Sequence, residues 1–392
     1  MPLKGDDQSR DACRIVTQVL RADLKFENIF PIVPESLYSA LPTMNPENPN
    51  LEDWKSIGAK VLVTARAEAT GSDAVVEIKV HMVDSGQIPL QKRYSGPLEN
   101  PRIIAHQAAD DIMATAQFRG VARSKIAFAS DRDATKEKRA KELYIVDYDG
   151  FNPRRFTVNL GLNIHPAWSP DGRSIAYVSY RPFPEIYIAS IYEGKSEKLT
   201  AGKYGQVFAP AWSPDGKRIA FASSKTGAME IWVANADGTE ARRLTHGTAL
   251  NTAPCWSPTG QEIAFTSDRS GTPQIWLMDA EGLNVRRLTT VGSWNDGARW
   301  NPSKQYTEIA YTSRLDAGFE VAVVDLATHE VRQITEGRGS CESPAWAPNG
   351  RHLVFACSRG PQWQLTVSDR LGRDVQTLAV GRGNNVQPDW SP

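Results

Sequence analysis

One short string, Trp-Ser-Pro-Asp-Gly, limits what this chain can fold into, because it recurs. Trp212-Ser213-Pro214-Asp215-Gly216 repeats Trp168-Ser169-Pro170-Asp171-Gly172, and variants begin at Trp256, Trp300 and Trp346. A truncated copy, Trp390-Ser391-Pro392, ends the sequence. Successive tryptophans stand 44, 44, 44, 46 and 44 residues apart. A fixed period of this size belongs to a propeller, a solenoid or a repeat array.

The content of one period selects the propeller. In the unit around Trp212, a strand leads into Ser213-Pro214-Asp215-Gly216, a type I turn with proline early and glycine at its end. Residues 219–222 return, residues 230–234 form a third strand, Asp237-Gly238 turns the chain, and residues 242–245 form a fourth. Four strands per period describe a propeller blade. The first unit, residues 125–157, has three strands and no Trp strand, whereas residues 385–392 supply a Trp strand alone. Together they complete one blade. The expected fold is therefore mainly β, a six-bladed propeller of WD40-like repeats over residues 125–392, closed by residues 385–392. Closure removes exposed sheet edges.

Residues 1–118 lack the repeat and read as a small α/β domain, with 119–124 as linker. Ala12, Ile15, Val16, Val19 and Leu20 follow helical spacing. Residues 31–49 read as loop and residues 51–57 as a short helix. Val76, Ile78, Val80 and Met82 alternate with polar residues, as in a strand with one buried face. That strand lies between a first, beginning at residues 61–63, and a third at residues 88–94. Asn100-Pro101 starts a last helix, with Asn100 as its cap. His81 and His106 read as surface residues, since neither belongs to a ligand cluster.

Lysine plus arginine equals aspartate plus glutamate, 45 each, which argues against a general nucleic-acid binder. No apolar run is long enough to span a membrane, and the first residues lack the apolar core of a leader. There is no Gly-x-Ser-x-Gly elbow, His-Glu-x-x-His, phosphate loop or Cys-x-x-Cys pair, and the six histidines are scattered. These absences favour a binding module. The enzymatic alternative is a propeller hydrolase or lactonase using Asp296, Glu342 and His165. A cytoplasmic sensor propeller is a third reading.

Binding is expected where the repeats differ. The loops entering the Trp strands and the turns between second and third strands share one face, opposite the Trp-Ser-Pro turns. Entering the strands are Asn163, Val207, Asn251, Asn295, Cys341 and Asn385, and beside them Ile164, Phe208, Thr252, Asp296, Glu342 and Val386. The asparagines suit either turn capping or contact with a partner. The second-to-third-strand turns carry Arg132, Arg181, Lys225, Arg269, Arg314 and Arg359. These form either a basic ring for an acidic partner segment or a set of local pairs with carboxylates such as Asp131 and Asp268. Asp296 and Glu342, on adjacent blades, are the candidate ligands for Ca²⁺, which prefers oxygen donors.

Cys357 stands where the other blades have serine, and Cys341 where most have asparagine. The two are equidistant from Asn349 at the hairpin turn. They should face each other with Cα atoms ~4.5 to 5.5 Å apart, within disulfide reach. Such a bond fits an oxidising compartment. Cys13 and Cys255 are expected to stay unpaired.

Two features together resemble the TolB family. One is the N-terminal domain, with Ile-Val-Thr-Gln-Val-Leu-Arg-Ala-Asp-Leu at residues 15–24 and Asp53-Trp54-Lys55-Ser56-Ile57-Gly58-Ala59. The other is the Trp-Ser-Pro-Asp-Gly array, opened by Leu-Tyr-Ile-Val-Asp-Tyr-Asp-Gly-Phe-Asn at residues 143–152. The resemblance implies a periplasmic component of the Tol-Pal envelope system. Its propeller mouth would bind a peptidoglycan-associated outer-membrane lipoprotein, support outer-membrane integrity and constriction, and be exploited for colicin import. Family members also begin with a leader and a tail that contacts other Tol proteins. Here the first helix begins within ten residues of Met1, which leaves that contact open.

Overall fold

The computed structural model describes residues 7–39, 41, 42, 45, 47–135, 137, 139–158, 161–315, 318–337 and 339–392. The chain divides into two compact units, Met1–Arg123 and Ser124–Pro392.

In the first unit, helices Asp7–Glu27 and Arg102–Thr115 pack on a three-stranded antiparallel sheet, Val61–Thr70, Asp73–Met82 and Leu90–Pro97. The alternation read in the middle strand is the cause: Val76, Ile78 and Val80 are buried, as are Val16, Val19 and Ile104 of the helices that pack on this sheet. Three local readings need correction. The third strand starts at Leu90, because the turn Met82 to Gln87 is tied by its own backbone bonds and leaves Ile88 exposed. A short helix, Glu35–Tyr38, interrupts the expected loop. Pro101 has helical dihedrals, but the side chain of Asn100 makes no capping bond.

His81 and His106 are buried, contrary to the sequence reading. His81 Nε2 meets Thr64 Oγ1 at 3.3 Å across the sheet, and His106 Nδ1 lies 2.9 Å from the Asp23 carboxylate. Each sits on a packed face, where a polar partner removes the cost of burial. Burial, helped by Lys79, pushes the His81 pKa down.

Among the described residues the second unit contains six four-stranded antiparallel sheets. The innermost strands are Leu162–Trp168, Val207–Trp212, Asn251–Trp256, Asn295–Trp300, Cys341–Trp346 and Asn385–Trp390, and each touches the next around a closed ring. Five blades are consecutive in sequence. The sixth joins Asn385–Trp390 to Lys125–Ser130, Glu142–Asp147 and Arg154–Arg155.

The repeated string is architectural. Ser213 Oγ donates to Asp215 at 2.6 Å and accepts from the Arg218 N–H at 2.9 Å. The Ser213 bond, with help from the Lys217 N–H, holds the Asp215 carboxyl below its usual range. Gly216 adopts φ +71°, a conformation that favours glycine, and a Cβ there would stand 3.3 Å from Pro170 of the preceding turn. Gly260 meets Pro214 and Gly172 meets Pro392 in the same way, whereas Gly350 faces Asn301 and Ser303. The tryptophan fills the space between blades. Trp256 packs against Ala222, Ile231, Val233 and Leu244 of the preceding blade.

Candidate protein-binding face

The loops entering the inner strands and the second-to-third-strand turns do share one face. The Ser224 N–H donates to Gln206 O at 3.0 Å, Arg314 N–H to Trp294 O at 2.7 Å, and Ser358 N–H to Ser340 O at 2.8 Å. The same bond joins Asp131 to Asn384 at the closing blade.

The four asparagines on this face are not contact residues. Asn163, Asn251, Asn295 and Asn385 are at most 1% exposed. Each reaches back to a residue at or near the start of the preceding blade's third strand. Asn251 Nδ2 donates to Glu230 at 2.9 Å, Asn163 Nδ2 to Glu142 at 2.9 Å, Asn295 Nδ2 to Gln274 at 2.8 Å, and Asn385 Nδ2 to Gln364 at 3.2 Å. A threonine after the fourth strand completes the latch. Thr245 Oγ1 donates to Glu230 while accepting the Ile231 N–H at 2.9 Å. Thr157, Thr200, Thr289 and Thr335 repeat the arrangement. Burial forces this pairing, since an isolated polar group inside would be costly.

The basic residues of this face lie over aromatic rings of their own blades. Arg132 lies 4.1 Å from the Tyr144 ring centroid, Arg181 5.0 Å from Tyr187, Arg269 5.0 Å from Trp276, Arg314 6.0 Å from Phe319, and the Lys225 ammonium 4.8 Å from Tyr204. These are cation–π distances. Arg269 Nη2 also donates to Asn251 Oδ1 at 2.9 Å, and Arg132 Nη2 to Asn385 Oδ1 at 3.0 Å. Among the described residues none of the five ion-pairs with a carboxylate, so local carboxylate pairing is corrected to aromatic stacking. Asp131 and Asp268 instead accept backbone N–H groups of Asn384 and Leu250. The side chain of Arg359 lies outside the described residues.

Each inner strand carries one residue of positive φ: His165, Ala209, Ala253, Gly297, Ser343 and Gln387, between 48° and 67°. A register irregularity accompanies each. A bulge re-aims the side chains around it. The half-buried inner-strand residues that result include His165, Phe208, Cys255, Asp296, Arg299, Glu342 and Asp389. Phe208 stacks at 6.5 Å on Tyr180. Asp296 Oδ1 accepts Thr266 Oγ1 at 2.7 Å. Burial and the nearby Asp296 push the Glu342 carboxyl up. Among the described residues no group of three or more His, Cys, Asp or Glu converges as metal ligands, so Ca²⁺ here would rest on two carboxylates.

Sequence reasoning missed Arg299 and Asp389, which repeat positions occupied mostly by alanine. Burial, together with Arg299 and Lys141, lowers the His165 pKa from 6.5 to about 4. Burial raises the Asp389 pKa from 3.8 to about 6, opposed by Arg299 and the Trp168 N–H that Asp389 accepts at 2.7 Å. The consequences have opposite signs. Unfolded His165 binds a proton first as pH falls from 6.5 to 4, so its part of the stability is lost on acidification. Folded Asp389 holds its proton longer, so its part is lost as pH rises from 3.8 to 6. Each amounts to at most ~3 kcal/mol. Urea midpoints, expressed relative to the parent, should therefore rise from pH 4.5 to 6.5 for Asp389→Asn and fall over that interval for His165→Asn. Parallel profiles would show that neither group is perturbed.

Cys341 and Cys357 are register partners joined by a disulfide, with Cα atoms 4.1 Å apart. Cys13 and Cys255 are free. Several large apolar side chains on this face also escaped the sequence reading: Phe183 is 74% exposed, Leu250 55% and Trp294 40%. Their signal was available, as apolar residues in loops that precede or join strands.

The architecture is that of a six-bladed propeller following a small α/β unit. The model for the TolB beta propeller domain matches residues 114–392, and that for the TolB amino-terminal domain matches residues 1–88. The chain belongs to the TolB family. It is 36% identical over 174 residues to the Tol-Pal system protein TolB of Geobacter sulfurreducens, covering 44% of this chain and 39% of that one. It is 31% identical over 198 residues to the same protein of Desulfosudis oleivorans, covering 49% and 44%. It thus spans less than half the length of these curated relatives. The crystal structure of TolB from Acinetobacter baumannii superposes with a TM-score of 0.85 at 28% identity, covering 100% of this chain and 95% of that one. Among the described residues no helix is long and apolar enough to cross a membrane.

Proposed function

We propose that this chain is a periplasmic, non-enzymatic binding component of the Tol-Pal system. Its propeller binds a peptidoglycan-associated outer-membrane lipoprotein, and through it supports outer-membrane integrity and constriction. Colicin import would exploit the same face. The observation that carries the reading is the set of exposed apolar side chains on this face, Phe183, Leu250 and Trp294, together with half-buried Phe208. Large aromatics of this kind anchor protein interfaces. Because the cations of the face are stacked on blade aromatics, apolar contact supplies the affinity, and exposed Arg181 and Lys225 contribute mainly to the rate of encounter. The full chain, immobilised, should recover such a lipoprotein from detergent-solubilised envelopes. Phe183→Asp combined with Trp294→Asp should reduce recovery about tenfold or more, the range expected for interface aromatics. Equal recovery by the double variant would remove this face from the interface. Hydrolytic turnover that depends on a divalent metal would favour the enzymatic alternative.

A further inference from the structure

The six tryptophans that end the inner strands are not equally enclosed. Trp168, Trp256, Trp346 and Trp390 are between 5% and 7% exposed, whereas Trp212 and Trp300 are half-buried. Trp212 lines a cavity of about 490 Å³ between its own blade and the preceding one. A cavity of this volume is the size of a small-molecule site. The first residue of each second strand accounts for the opening. These residues are Lys125, Ser174, Arg218, Glu262, Glu308 and His352. Arg218 reaches from its blade to the next, and its guanidinium carbon lies 4.6 Å from the Trp256 ring centroid. Ser174 holds the equivalent place before Trp212 and is the one short side chain of the six. The cavity therefore stands where the neighbouring blade has a guanidinium on an indole.

The lining suits a cation on an apolar stem. Trp212 Nε1 already donates to Ala167 O at 3.2 Å, which leaves the face of the ring for a ligand. Ile188 and Leu199 lie beside it and can cover methylene groups. The charged residues of the lining are Glu193, Glu197 and Asp237 against Lys195 and Lys198, one negative charge in excess. Among the described residues none of the five makes an ion pair. Asp237 accepts the Thr239 N–H and hydroxyl, and Lys198 Nζ lies 5.7 Å from the Tyr187 ring centroid of its own blade.

We infer that this cavity receives an arginine side chain of a partner protein. The guanidinium lies on Trp212 as that of Arg218 lies on Trp256, with its stem against Ile188 and Leu199 and its charge toward Glu193 and Glu197. Arginine is among the residues that carry most of the energy of protein interfaces, and its contact with an indole strengthens as water is excluded. The cavity lies beside Ser174 and Asp237, at the Trp-Ser-Pro end of the sheets and opposite the loop face. Failure of either reading therefore leaves the other standing.

The test follows the indole N–H resonance of Trp212 in the full chain, labelled with ¹⁵N-tryptophan and assigned by its loss in Trp212→Phe. The probe is the tripeptide Gly-Arg-Gly, acetylated and amidated, which should shift that resonance saturably. The same peptide with citrulline keeps the shape but not the charge, and should bind about tenfold or more weakly, as expected for loss of a cation–π contact. Ser174→Arg builds the missing guanidinium into the chain and should weaken the arginine peptide by about the same factor. Glu193→Lys combined with Glu197→Lys alters exposed residues alone, so it tests the site even if Ser174→Arg fails to fold. It should also weaken the peptide about tenfold, because like charges would then line the cavity. Equal binding of the citrulline peptide would overturn recognition of a cation. An unmoved Trp212 resonance, or full affinity in either variant, would overturn the cavity as the site. Binding of free arginine without binding of the peptide would overturn a protein partner and make a small molecule the occupant.

Discussion

A chain ending at residue 384 should lose the cooperative unfolding transition of its propeller. The missing strand is the inner strand of the closing blade, and its main contacts are buried. Trp390 is 5% exposed, and its Nε1 donates to Ser124 at 2.7 Å. Ser391 exchanges two backbone-anchored bonds with Lys125, at 2.8 and 2.9 Å. Asp389 accepts the Trp168 N–H, and Val386 packs into the apolar cluster of Trp168 and Tyr177. Removing one large buried aromatic costs ~3–5 kcal/mol. Removing the whole strand should exceed the ~5–15 kcal/mol that separates folded from unfolded domains. It would also leave Lys125–Ser130 as an open edge, so aggregation should accompany the loss. Trp390→Ala is the graded version, with an expected destabilisation of ~3–5 kcal/mol in urea. A truncated chain with an unchanged, cooperative melt would mean that the ring does not depend on its closure.

Breaking one latch between blades should rank second. Glu230 is fully buried, with Asn251 and Thr245 as its donors. Asn251→Leu leaves a buried carboxylate short of a donor and should cost about 3 kcal/mol, as should Thr245→Val. The double variant should cost less than the sum, because both donors serve one group. Glu230→Gln is the informative contrast. Gln274 occupies the equivalent position in the next blade, with Thr289 and Asn295 as its donors at 2.8 Å. The neutral amide should therefore be accepted within about 1 kcal/mol. If Glu230→Gln proves as damaging as Asn251→Leu, charge and not geometry holds the latch. If Asn251→Leu is silent, the latch contributes nothing to the ring.

The blade period was plain in the sequence because turn chemistry is local: Ser213, Pro214, Asp215 and Gly216 specify their turn almost by themselves. Closure by residues 385–392 followed from counting strands. The Cys341–Cys357 pairing was readable because hairpin register maps sequence distance onto space. The latch was not read, although its spacing is as regular as that of the tryptophans. Glutamate or glutamine at 142, 230 and 274 precedes threonine by 15 residues and asparagine by 21. Those asparagines looked like turn caps or contact residues, since asparagine suits both; only the neighbouring blade reveals them as buried. The basic residues misled for a similar reason. Their charge is visible in the sequence, but the rings that they cover come from the adjoining strand. His165 and Asp389 were hard to weigh because burial within the ring sets their proton affinity, and burial is a property of all six blades at once.

The latch and the tryptophan turn have the same period but different phases. The sequence repeat runs from one Trp to the next, and the sheet it builds keeps its first strand innermost. The latch begins on the third strand of one blade and finishes on the first strand of the following one. At the four boundaries closed by Asn163, Asn251, Asn295 and Asn385, a cut placed between blades falls inside a latch, and a cut placed between latches falls inside a sheet. At those four no cut leaves both intact. The propeller behaves as one interleaved hoop: duplicating or deleting a repeat changes its circumference, and no blade can detach as a module.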